Sequence, residues 1–573
     1  MKRLALLFIV AAVVIGSAVV WKRYRASDVH VSADSVASRV DQLFARWSGP
    51  DSPGCSLGVS RNGVPVYERA YGTANLELSV PITPQSVLPA ASISKQFTAM
   101  SILLLANSGK LTLDDDIGKH IPEWADHGSR ITIRHLLTHT SGLRDAFMLQ
   151  GLAPPREDGA DLNEAILKVL ARTRGLNFAP GTEFQYNNGA YNLLGSIVRR
   201  VSGQSLRAFA DANIFKPLGM THTHFHDDPG MIVAGRVSGY HRDESGLHVT
   251  SSENGIVGNA GLETTVGDLL LWEQNFADAR VGDHALLDAI QTPVISTGWS
   301  ETSSYGFGVE IAKYRGLTTI GHGGGDRGIA SYLVRYPEEN FAVALLCNLD
   351  NIGENGNATA LTQRVADIYL AGALAAPKSG GSMAAPVPVP LSPEQLTRMV
   401  GLYRDLSNDM VGRIFMRDGK LMASAGAGEE PSVELTPVGA NRFVVRGTPV
   451  SVDFVPPSHG RSQEIHVSGD GPKPRVSQLV TPFGPAAAQL GLFEGVYSSP
   501  EVEGIFTLAA RNAGLVMEIP GRANISLQPV FTDAFAGAIV GVVKFSRDGR
   551  GIVTGFTANS DGARGLRFER IKR

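Results

Sequence analysis

A serine and a lysine three residues apart form the pair most able to do chemistry, in the stretch Ser92-Ile-Ser-Lys95. Positions i and i+3 share one face of a helix, so the Lys95 amine can reach the Ser92 oxygen. A serine hydroxyl is a weak nucleophile until a base takes its proton, and burial lowers the pKa of a lysine enough to make it that base. The motif is short, so an N-cap serine beside a solvated lysine is the alternative.

A helix must position this pair. Residues 99–106 are rich in Leu and Ala without a helix breaker, and Asn107-Ser108-Gly109 supplies a stop. Ser92 is therefore expected at the helix N-terminus, where free backbone N–H groups favour developing negative charge.

A turn-rich loop carries a second candidate pair, Tyr186 and Asn188, ahead of a helix predicted from about Ala190 to Val201. In extended backbone, residues two apart point to the same side. A tyrosine near a lysine is expected to titrate low enough to share proton transfer. The alternative is a tyrosine that only closes a turn.

A glycine-rich stretch follows His322, over Gly323, Gly324 and Gly325. Residues 323–328 formally match the dinucleotide fingerprint, but that fingerprint requires a helix next. The following residues, Ile329 to Tyr336, read as a strand. The stretch is therefore predicted to be a strand edge that lets a ligand or another backbone come close, with His322 beside it.

Histidines elsewhere in the chain raise the question of a metal. His222, His224 and His226 lie on one face of an extended segment, a pattern that could bind metal at a surface. His135 and His139 have no third ligand placed by the sequence. Because no nearby chemistry calls for a metal, we expect neither a metal nor another cofactor.

Composition sets the class of protein. With 573 residues, 43% hydrophobic and 19% charged, the chain is expected to fold into two to four globular domains. A formal charge of −3 gives no reason to expect a nucleic-acid partner. The two cysteines, Cys55 and Cys347, lie in apolar runs, so buried thiols are expected; a single bridge stays open.

The first residues have the features of a targeting segment. Lys2 and Arg3 precede an uncharged apolar run over residues 4–20, and a basic cluster follows at residues 22–25. Residues 1–26 are therefore predicted to be a signal peptide, if cut after Ala18, or a membrane anchor through residues 4–20. Both predict export, to the periplasm or to the periplasmic side of the inner membrane of a bacterium.

The remaining chain divides by texture. A first domain is predicted over residues 30–378, opening with a helix over residues 32–47 and a hairpin whose turn is Asn62-Gly63. Residues 379–393, rich in Gly, Ala, Val and Pro, are predicted to be a linker. Residues 394–480 and 489–573 each open on a Gly-x-Tyr start followed by short β-like runs, which predicts two small antiparallel barrels.

Together the three motifs resemble those of the penicillin-recognising serine hydrolases, which include class C β-lactamases, carboxypeptidases, esterases and D-aminopeptidases. His-Gly-Gly in place of Lys-Thr-Gly is similar to the D-aminopeptidases and many esterase-like members. Further similarity to D-aminopeptidases lies in four segments: Ser141-Gly-Leu-Arg-Asp145, Gly258-Asn-Ala-Gly-Leu262, Trp272-Glu-Gln274 and Tyr305-Gly-Phe-Gly308.

This resemblance implies an α/β (α+β) β-lactamase/transpeptidase-like catalytic domain with a central antiparallel sheet, followed by two β-barrels. Two features depart from it. The chain has an export-type N-terminus, and residues 529–542 are short where the D-aminopeptidases send a long barrel loop into the active site. The shorter stretch leaves selectivity for amino-terminal D-residues open.

The resemblance also implies roles. Ser92 attacks an acyl carbon, and Lys95 and Tyr186 share the proton transfers. Asn188 holds Lys95 or the substrate amide, and His322 polarises the Tyr186 side or contacts substrate. Backbone N–H groups of Ser92 and Gly325 are expected to form the oxyanion hole, and the supporting backbone comes from Gly323 and Gly324.

We therefore expect an exported serine hydrolase acting through an acyl-enzyme on small peptide or amide substrates. An esterase or weak class C-like β-lactamase with the same residues is the first alternative. A non-catalytic envelope binding or sensor protein is the second. The oligomeric state stays open, with a dimer among the options.

Overall fold

A computed structural model describes residues 35–571, except for 125–127, 156–161, 251–254, 301, 353–357, 377–387, 446–447, 449, 457–461, 470–473 and 512. The predicted targeting segment, residues 1–26, lies outside the described residues, as does most of the predicted linker. Within the described part of the chain, no helix has the length and apolar character needed to cross a membrane.

An eight-stranded antiparallel sheet forms the centre of the first domain. Its strands lie side by side in the order β3-β4-β5-β6-β7-β8-β1-β2. In chain order they are β1 (Cys55–Arg61), β2 (Val64–Tyr71), β3 (Ile295–Ser296), β4 (Ser304–Tyr305), β5 (Glu310–Tyr314), β6 (Leu317–Asp326), β7 (Ile329–Tyr336) and β8 (Phe341–Cys347).

The sheet is buried at its middle because its central strands are almost wholly apolar. Every residue of β8 is buried, which is typical of a strand covered on both faces. The predicted hairpin is confirmed: β1 and β2 are joined at Asn62 and Gly63, which both have positive φ as a tight hairpin turn requires.

Helices cover the sheet and build the other half of the first domain. The α-helices of the described residues are α1 (Val36–Phe44), α2 (Ser94–Asn107), α3 (Ile133–Leu137), α4 (Ala146–Leu152), α5 (Leu162–Arg172), α6 (Asn188–Ser202), α7 (Leu206–Ala210), α8 (Lys216–Leu218), α9 (Val266–Asp278), α10 (His284–Gln291), α11 (Ala358–Tyr369), α12 (Pro393–Thr397) and α13 (Ala487–Leu490).

The central helix is α2. Every residue from Ser94 to Leu103 is buried, so α2 is a core helix rather than an amphipathic surface helix. Its C-terminus leads into Gly109 with φ 71°, the left-handed stop that the sequence predicted.

Three short sheets complete the first domain. Thr73–Asn75 pairs with Val80–Pro81, and Gly239–Asp243 pairs with Gly246–Thr250. The third sheet has Leu262–Thr264 at its centre, with Leu88–Pro89 on one side and His224–Phe225 on the other.

Two closed eight-stranded barrels follow, which confirms the predicted pair. The first is built from β9 (Gly401–Asp405), β10 (Val411–Arg417), β11 (Lys420–Ala425), β12 (Ser432–Pro437), β13 (Arg442–Val445), β14 (Ser451–Phe454), β15 (Glu464–Ser468) and β16 (Arg475–Val480). The second is built from β17 (Gly495–Ser498), β18 (Ile505–Arg511), β19 (Gly514–Glu518), β20 (Ile525–Phe531), β21 (Ala534–Gly537), β22 (Gly541–Arg547), β23 (Val553–Asn559) and β24 (Leu566–Arg570).

The cysteines are joined. Cys55 in β1 and Cys347 in β8 are direct partners in the antiparallel register and form a disulfide. The expectation of two buried thiols was therefore wrong. The two residues are 292 apart in sequence, so only the pairing of β1 with β8 reveals that they are neighbours.

Candidate active site

A cavity of about 550 Å³ opens where the helical half of the first domain meets the edge of β6. Ser92 and Asn188 lie on its wall together with the glycine-rich end of β6 at Gly325. The structure thus brings together three sequence motifs that are up to 233 residues apart, counted from Ser92 to Gly325.

Ser92 is held by a short 3-10 turn, Ala91–Ile93, that runs directly into α2. Ala91 has φ 47°, a left-handed conformation that a residue with a side chain seldom adopts and that is typical of functional sites. The neighbouring Ala90 is held in place through both of its backbone polar groups. Its N–H donates to the Leu262 carbonyl at 2.8 Å, and its carbonyl accepts from Ser331 Oγ at 2.9 Å.

Gly324 lets β6 approach this turn closely. A Cβ at position 324 would lie 2.4 Å from the Ala90 carbonyl oxygen and 2.3 Å from Ser331 Oγ, which no side chain tolerates. The next residue, Gly325, would meet nothing within 4 Å, because it borders the cavity. The predicted close approach of two backbones is therefore present at position 324.

Lys95 lies in the first turn of α2, three residues after Ser92, and its side chain is fully buried. Its Nζ lies 2.9 Å from Ser92 Oγ, 2.9 Å from Asn188 Oδ1 and 2.7 Å from the Asn259 carbonyl oxygen. All three partners are uncharged oxygens, and burial lowers the Lys95 pKa well below its ordinary value. A neutral amine has two N–H groups for Asn188 and Asn259, and its lone pair then faces the Ser92 hydroxyl.

Tyr186 also forms a hydrogen bond with Ser92, but its titration differs from the prediction. Burial raises the pKa of the phenol, against the lowering that the bond to Ser92 provides. The expected low pKa was therefore wrong, because burial outweighs the effect of nearby groups. A phenol that stays protonated suits a proton donor.

Helix α6 sets the position of both Tyr186 and Asn188. It begins at Asn188, two residues earlier than predicted, because the Asn187 side chain caps it by accepting from the Ala190 N–H. Tyr186 directly precedes this cap, and the Lys95 amine lies 4.8 Å from the centroid of its ring.

His322 lies at the end of a directional hydrogen-bond chain. The Asn187 N–H donates to His139 Nδ1 at 3.1 Å, so the His139 proton is on Nε2, which faces the Tyr305 hydroxyl at 3.2 Å. At the other end, His322 Nδ1 lies 2.6 Å from the Gly323 carbonyl and must carry a proton there. Tyr305 then donates to His322 Nε2 at 2.9 Å.

Both nitrogens of His322 are thus occupied within the wall of the site. Burial lowers the His322 pKa to about 3, so the ring is neutral near pH 7. This geometry gives His322 a structural role, because its side chain links β6 to Tyr305 of β4. Its predicted contact with substrate stays a prediction.

Three contributors to the site had no role in the sequence analysis: the Asn259 carbonyl, His139 and Tyr305. Asn259 and Tyr305 lie in segments noted only for their similarity to D-aminopeptidases. His139 was considered only as a metal ligand without a third partner, and it follows α3 with φ 57°. A backbone carbonyl carries no sequence signal, so the Asn259 contact was beyond reach of that reasoning.

A comparison with known protein families identifies the family of the chain. Residues 40–367 match the sequence profile of the family described as Beta-lactamase, which is more than half of the chain. The chain belongs to this Beta-lactamase family.

Curated proteins similar to this chain include D-aminopeptidases. That of Gluconobacter oxydans is 28% identical over 320 residues, covering 55% of this chain and 60% of the relative. That of Brucella anthropi is 31% identical over 281 residues, covering 48% of this chain and 52% of the relative. The chain thus spans little more than half the length of the curated relatives it matches.

Two solved structures share the fold. The octameric penicillin-binding protein homologue from Pyrococcus abyssi has a TM-score of 0.54 and 22% identity, covering 78% of this chain and all of that chain. D-Amino acid amidase from Ochrobactrum anthropi SV3, complexed with L-phenylalanine amide, has a TM-score of 0.51 and 21% identity, covering 59% of this chain and 99% of that chain.

Proposed function

We propose that this chain is an acyl-enzyme serine hydrolase that cleaves small amides or peptides, with D-aminopeptidase-like substrates. One observation carries the proposal: the buried Lys95 amine lies 2.9 Å from Ser92 Oγ and is held by two further neutral oxygens. A lysine so placed has no carboxylate among its three hydrogen-bond partners to keep it charged, so it is available as a general base.

Acylation follows from this arrangement. Ser92 Oγ attacks the substrate carbonyl carbon while its proton passes to Lys95 Nζ. The negative charge that develops on the carbonyl oxygen is stabilised by the backbone N–H groups of Ser92 and Gly325, and one such donor contributes about 3 kcal/mol.

The leaving amine then needs a proton as the C–N bond breaks. The Tyr186 phenol, which stays protonated, donates it and recovers a proton from Lys95. Water next attacks the Ser92 ester, and Lys95 and Tyr186 transfer protons in the opposite direction. This step releases the acid and restores the Ser92 hydroxyl.

The substrate class rests on the relatives. Curated proteins similar to this chain are named D-aminopeptidases. The His322-Gly-Gly sequence in place of Lys-Thr-Gly resembles the same group. Esters need the same nucleophile and less help for the leaving group, so esterase activity is the second candidate.

We further propose that the protein acts outside the cytoplasm, in the periplasm or anchored to the inner membrane through residues 4–20. The N-terminal pattern supports this, and so does the Cys55–Cys347 disulfide, since such bonds form and persist in oxidising compartments.

The test compares substrates and variants. We expect D-alanyl p-nitroanilide to be cleaved faster than its L-isomer, with turnover lost in Ser92→Ala and kept in Ser108→Ala, a serine at the far end of α2. Cleavage of p-nitrophenyl acetate alone would favour the esterase, and cleavage of a chromogenic cephalosporin the β-lactamase. Unchanged turnover in Ser92→Ala would exclude the mechanism.

A further inference from the structure

Two histidines and a glutamate meet beside the active-site cavity. His224 and Glu263 are direct cross-strand partners, so their side chains share one face of the short sheet, and His226 lies two residues on along the same edge. His226 and Glu263 are buried and line the same cavity as Ser92, whereas the His224 side chain is 18% exposed.

Each of the three side chains places one potential ligand atom close to those of the other two. His224 Nε2 lies 3.4 Å from His226 Nδ1, and Glu263 Oε2 lies 3.9 Å and 4.0 Å from those two nitrogens. A point equidistant from three atoms so separated lies about 2.2 Å from each, close to the roughly 2.0–2.2 Å of Zn–N and Zn–O bonds.

The Glu263 carboxylate offers an unsatisfied acceptor beside the two imidazoles. Glu263 Oε2 is buried and accepts no hydrogen bond from the described residues. A buried acceptor left in that state calls for a cation or a water molecule.

Arg236 is the neighbour that limits the site. Its Nη2 lies 2.9 Å from Glu263 Oε1, which leaves Oε2 for a second cation. Its Nη1 lies 3.4 Å from His226 Nε2, the nitrogen that must keep its proton when Nδ1 binds a metal. That contact therefore has to lengthen on binding, and the Arg236 side chain is 26% exposed and has room to move.

We propose that His224, His226 and Glu263 bind a divalent transition-metal ion, Zn²⁺ in preference to Mg²⁺ or Ca²⁺, in the wall of the active-site cavity. Two imidazoles and one carboxylate favour Zn²⁺ over the oxygen-seeking ions. Three protein ligands leave a fourth position of a tetrahedral ion for water or for a substrate oxygen. This goes beyond the proposed hydrolysis, and metal binding is measurable without turnover.

The sequence contains a matched control. His222 belongs to the same His-x-His-x-His run, but its backbone N–H donates to Asp268 Oδ2 at 2.8 Å. Its side chain is 53% exposed and lies beside Asp268 rather than beside Glu263. A run of histidines that bound metal only at its surface would use His222. The proposed site does not.

The experiment titrates the untagged full chain, freed of metal by chelator, with Zn²⁺ against a chromophoric chelator, and with Co²⁺ by visible absorption. We expect one Zn²⁺ per chain and a tetrahedral Co²⁺ spectrum. The Zn²⁺ affinity of His224→Ala and of Glu263→Gln should be at least about 100-fold weaker than that of the wild type, because losing an outer-shell partner alone costs up to about that much. His222→Ala should bind like the wild type.

Thermal melting without metal checks that each variant is folded. Saturating Zn²⁺ should raise the melting temperature of the wild type and of His222→Ala, but not that of His224→Ala or Glu263→Gln. The proposal fails if the wild type binds no stoichiometric Zn²⁺. It also fails if folded His224→Ala and Glu263→Gln bind as the wild type does, or if His222→Ala is the variant that loses the metal.

Discussion

Lys95 gains its chemistry from what surrounds it. Its three hydrogen-bond partners are uncharged, and one of them, the Asn259 carbonyl, comes from a segment 164 residues away. Had a carboxylate stood in that place, the ammonium form would be stabilised and the base lost. The lowered Lys95 pKa is thus a property of the assembled fold, and the Ser92–Lys95 spacing supplies only the contact between the two groups.

Lys95 is predicted to set the acidic limb of the pH–rate profile. A general base works when deprotonated, so kcat/KM should fall as pH drops through the lowered Lys95 pKa. His322 does not set this limb, because its pKa is about 3. Lys95→Ala should lower kcat/KM by roughly 10²–10⁴-fold and abolish the limb.

Lys110→Ala, at an exposed lysine just beyond the end of α2, is the control and should keep the wild-type profile. The measurement is kcat/KM against pH with the D-alanyl anilide or the aryl ester. A limb that persists unchanged in Lys95→Ala would assign the base to another group.

At the scale of elements, the backbone of β6 packs closely against the turn that carries Ser92. Gly324 gives the strand its close approach, and Ser331 in β7 ties the same turn from the next strand. The sequence predicted a strand with a glycine edge but not what that edge faces, because the partner, Ala90, is more than 200 residues away.

Gly324→Ala should misplace the nucleophile and destabilise the domain. The added Cβ would lie 2.4 Å from the Ala90 carbonyl, which the backbone must move to relieve. Overpacking of this kind typically costs about 1–3 kcal/mol. Gly325→Ala is the matched control, since its Cβ meets nothing within 4 Å.

Thermal or denaturant unfolding of the two variants measures the difference. Gly324→Ala should unfold more readily than the wild type, and Gly325→Ala should not. Equal stability of both would mean that β6 and the Ser92 turn are not in close contact.

The helices and hairpin show how far local pattern reaches. The β1–β2 hairpin and α2 were predicted because turn chemistry and an unbroken apolar run are local signals. The predicted start of α6 was two residues too late, because the pattern did not reveal that Asn187 caps the helix from within the loop. The sequence placed His224 and His226 on one face but could not reveal Glu263, which joins them only through the pairing of Leu262–Thr264 with His224–Phe225.

At the scale of the whole molecule, the second barrel is docked on the first domain. Leu149 and Leu152 of α4 belong to the apolar core of that barrel. The segment between β23 and β24 contributes polar contacts: the Gly562 carbonyl accepts from the Asp145 N–H at 2.7 Å and from Asn177 Nδ2 at 3.2 Å. The Gln185 side chain, next to Tyr186, donates to the Asp561 carbonyl.

The barrel therefore reaches the neighbourhood of the site by a different segment from the one the sequence analysis considered. Residues 529–542 form the end of β20, all of β21 and the start of β22, joined by tight turns, and Ile539 lies against Gly151 of α4. The contact at residues 560–565 has no periodic or compositional signal, so only the docked structure reveals it.

A buried ion pair anchors this docking. Glu501 of the second barrel pairs with Arg144, both almost fully buried, and also accepts from the Arg174 and Gly175 N–H groups at 3.1 Å and 3.0 Å. Glu501→Gln leaves Arg144 without its counter-charge, and breaking such a pair costs about 3–5 kcal/mol.

The neighbouring pair, Arg172 with Glu503 at 3.0 Å, is exposed on both sides and is the control, worth about 0–1 kcal/mol. Limited proteolysis and unfolding of Glu501→Gln and Glu503→Gln measure both. A Glu501→Gln protein as stable and as protease-resistant as Glu503→Gln would contradict the docking.

The central claim is that Ser92 becomes acylated with the help of Lys95. The direct measurement mixes the protein with p-nitrophenyl acetate, quenches in acid and locates the acyl group by peptide mass spectrometry. The account predicts an acetyl group on the peptide that carries Ser92, none in Ser92→Ala, and far slower appearance in Lys95→Ala. An acetyl group on another residue, or turnover in Ser92→Ala, would contradict it.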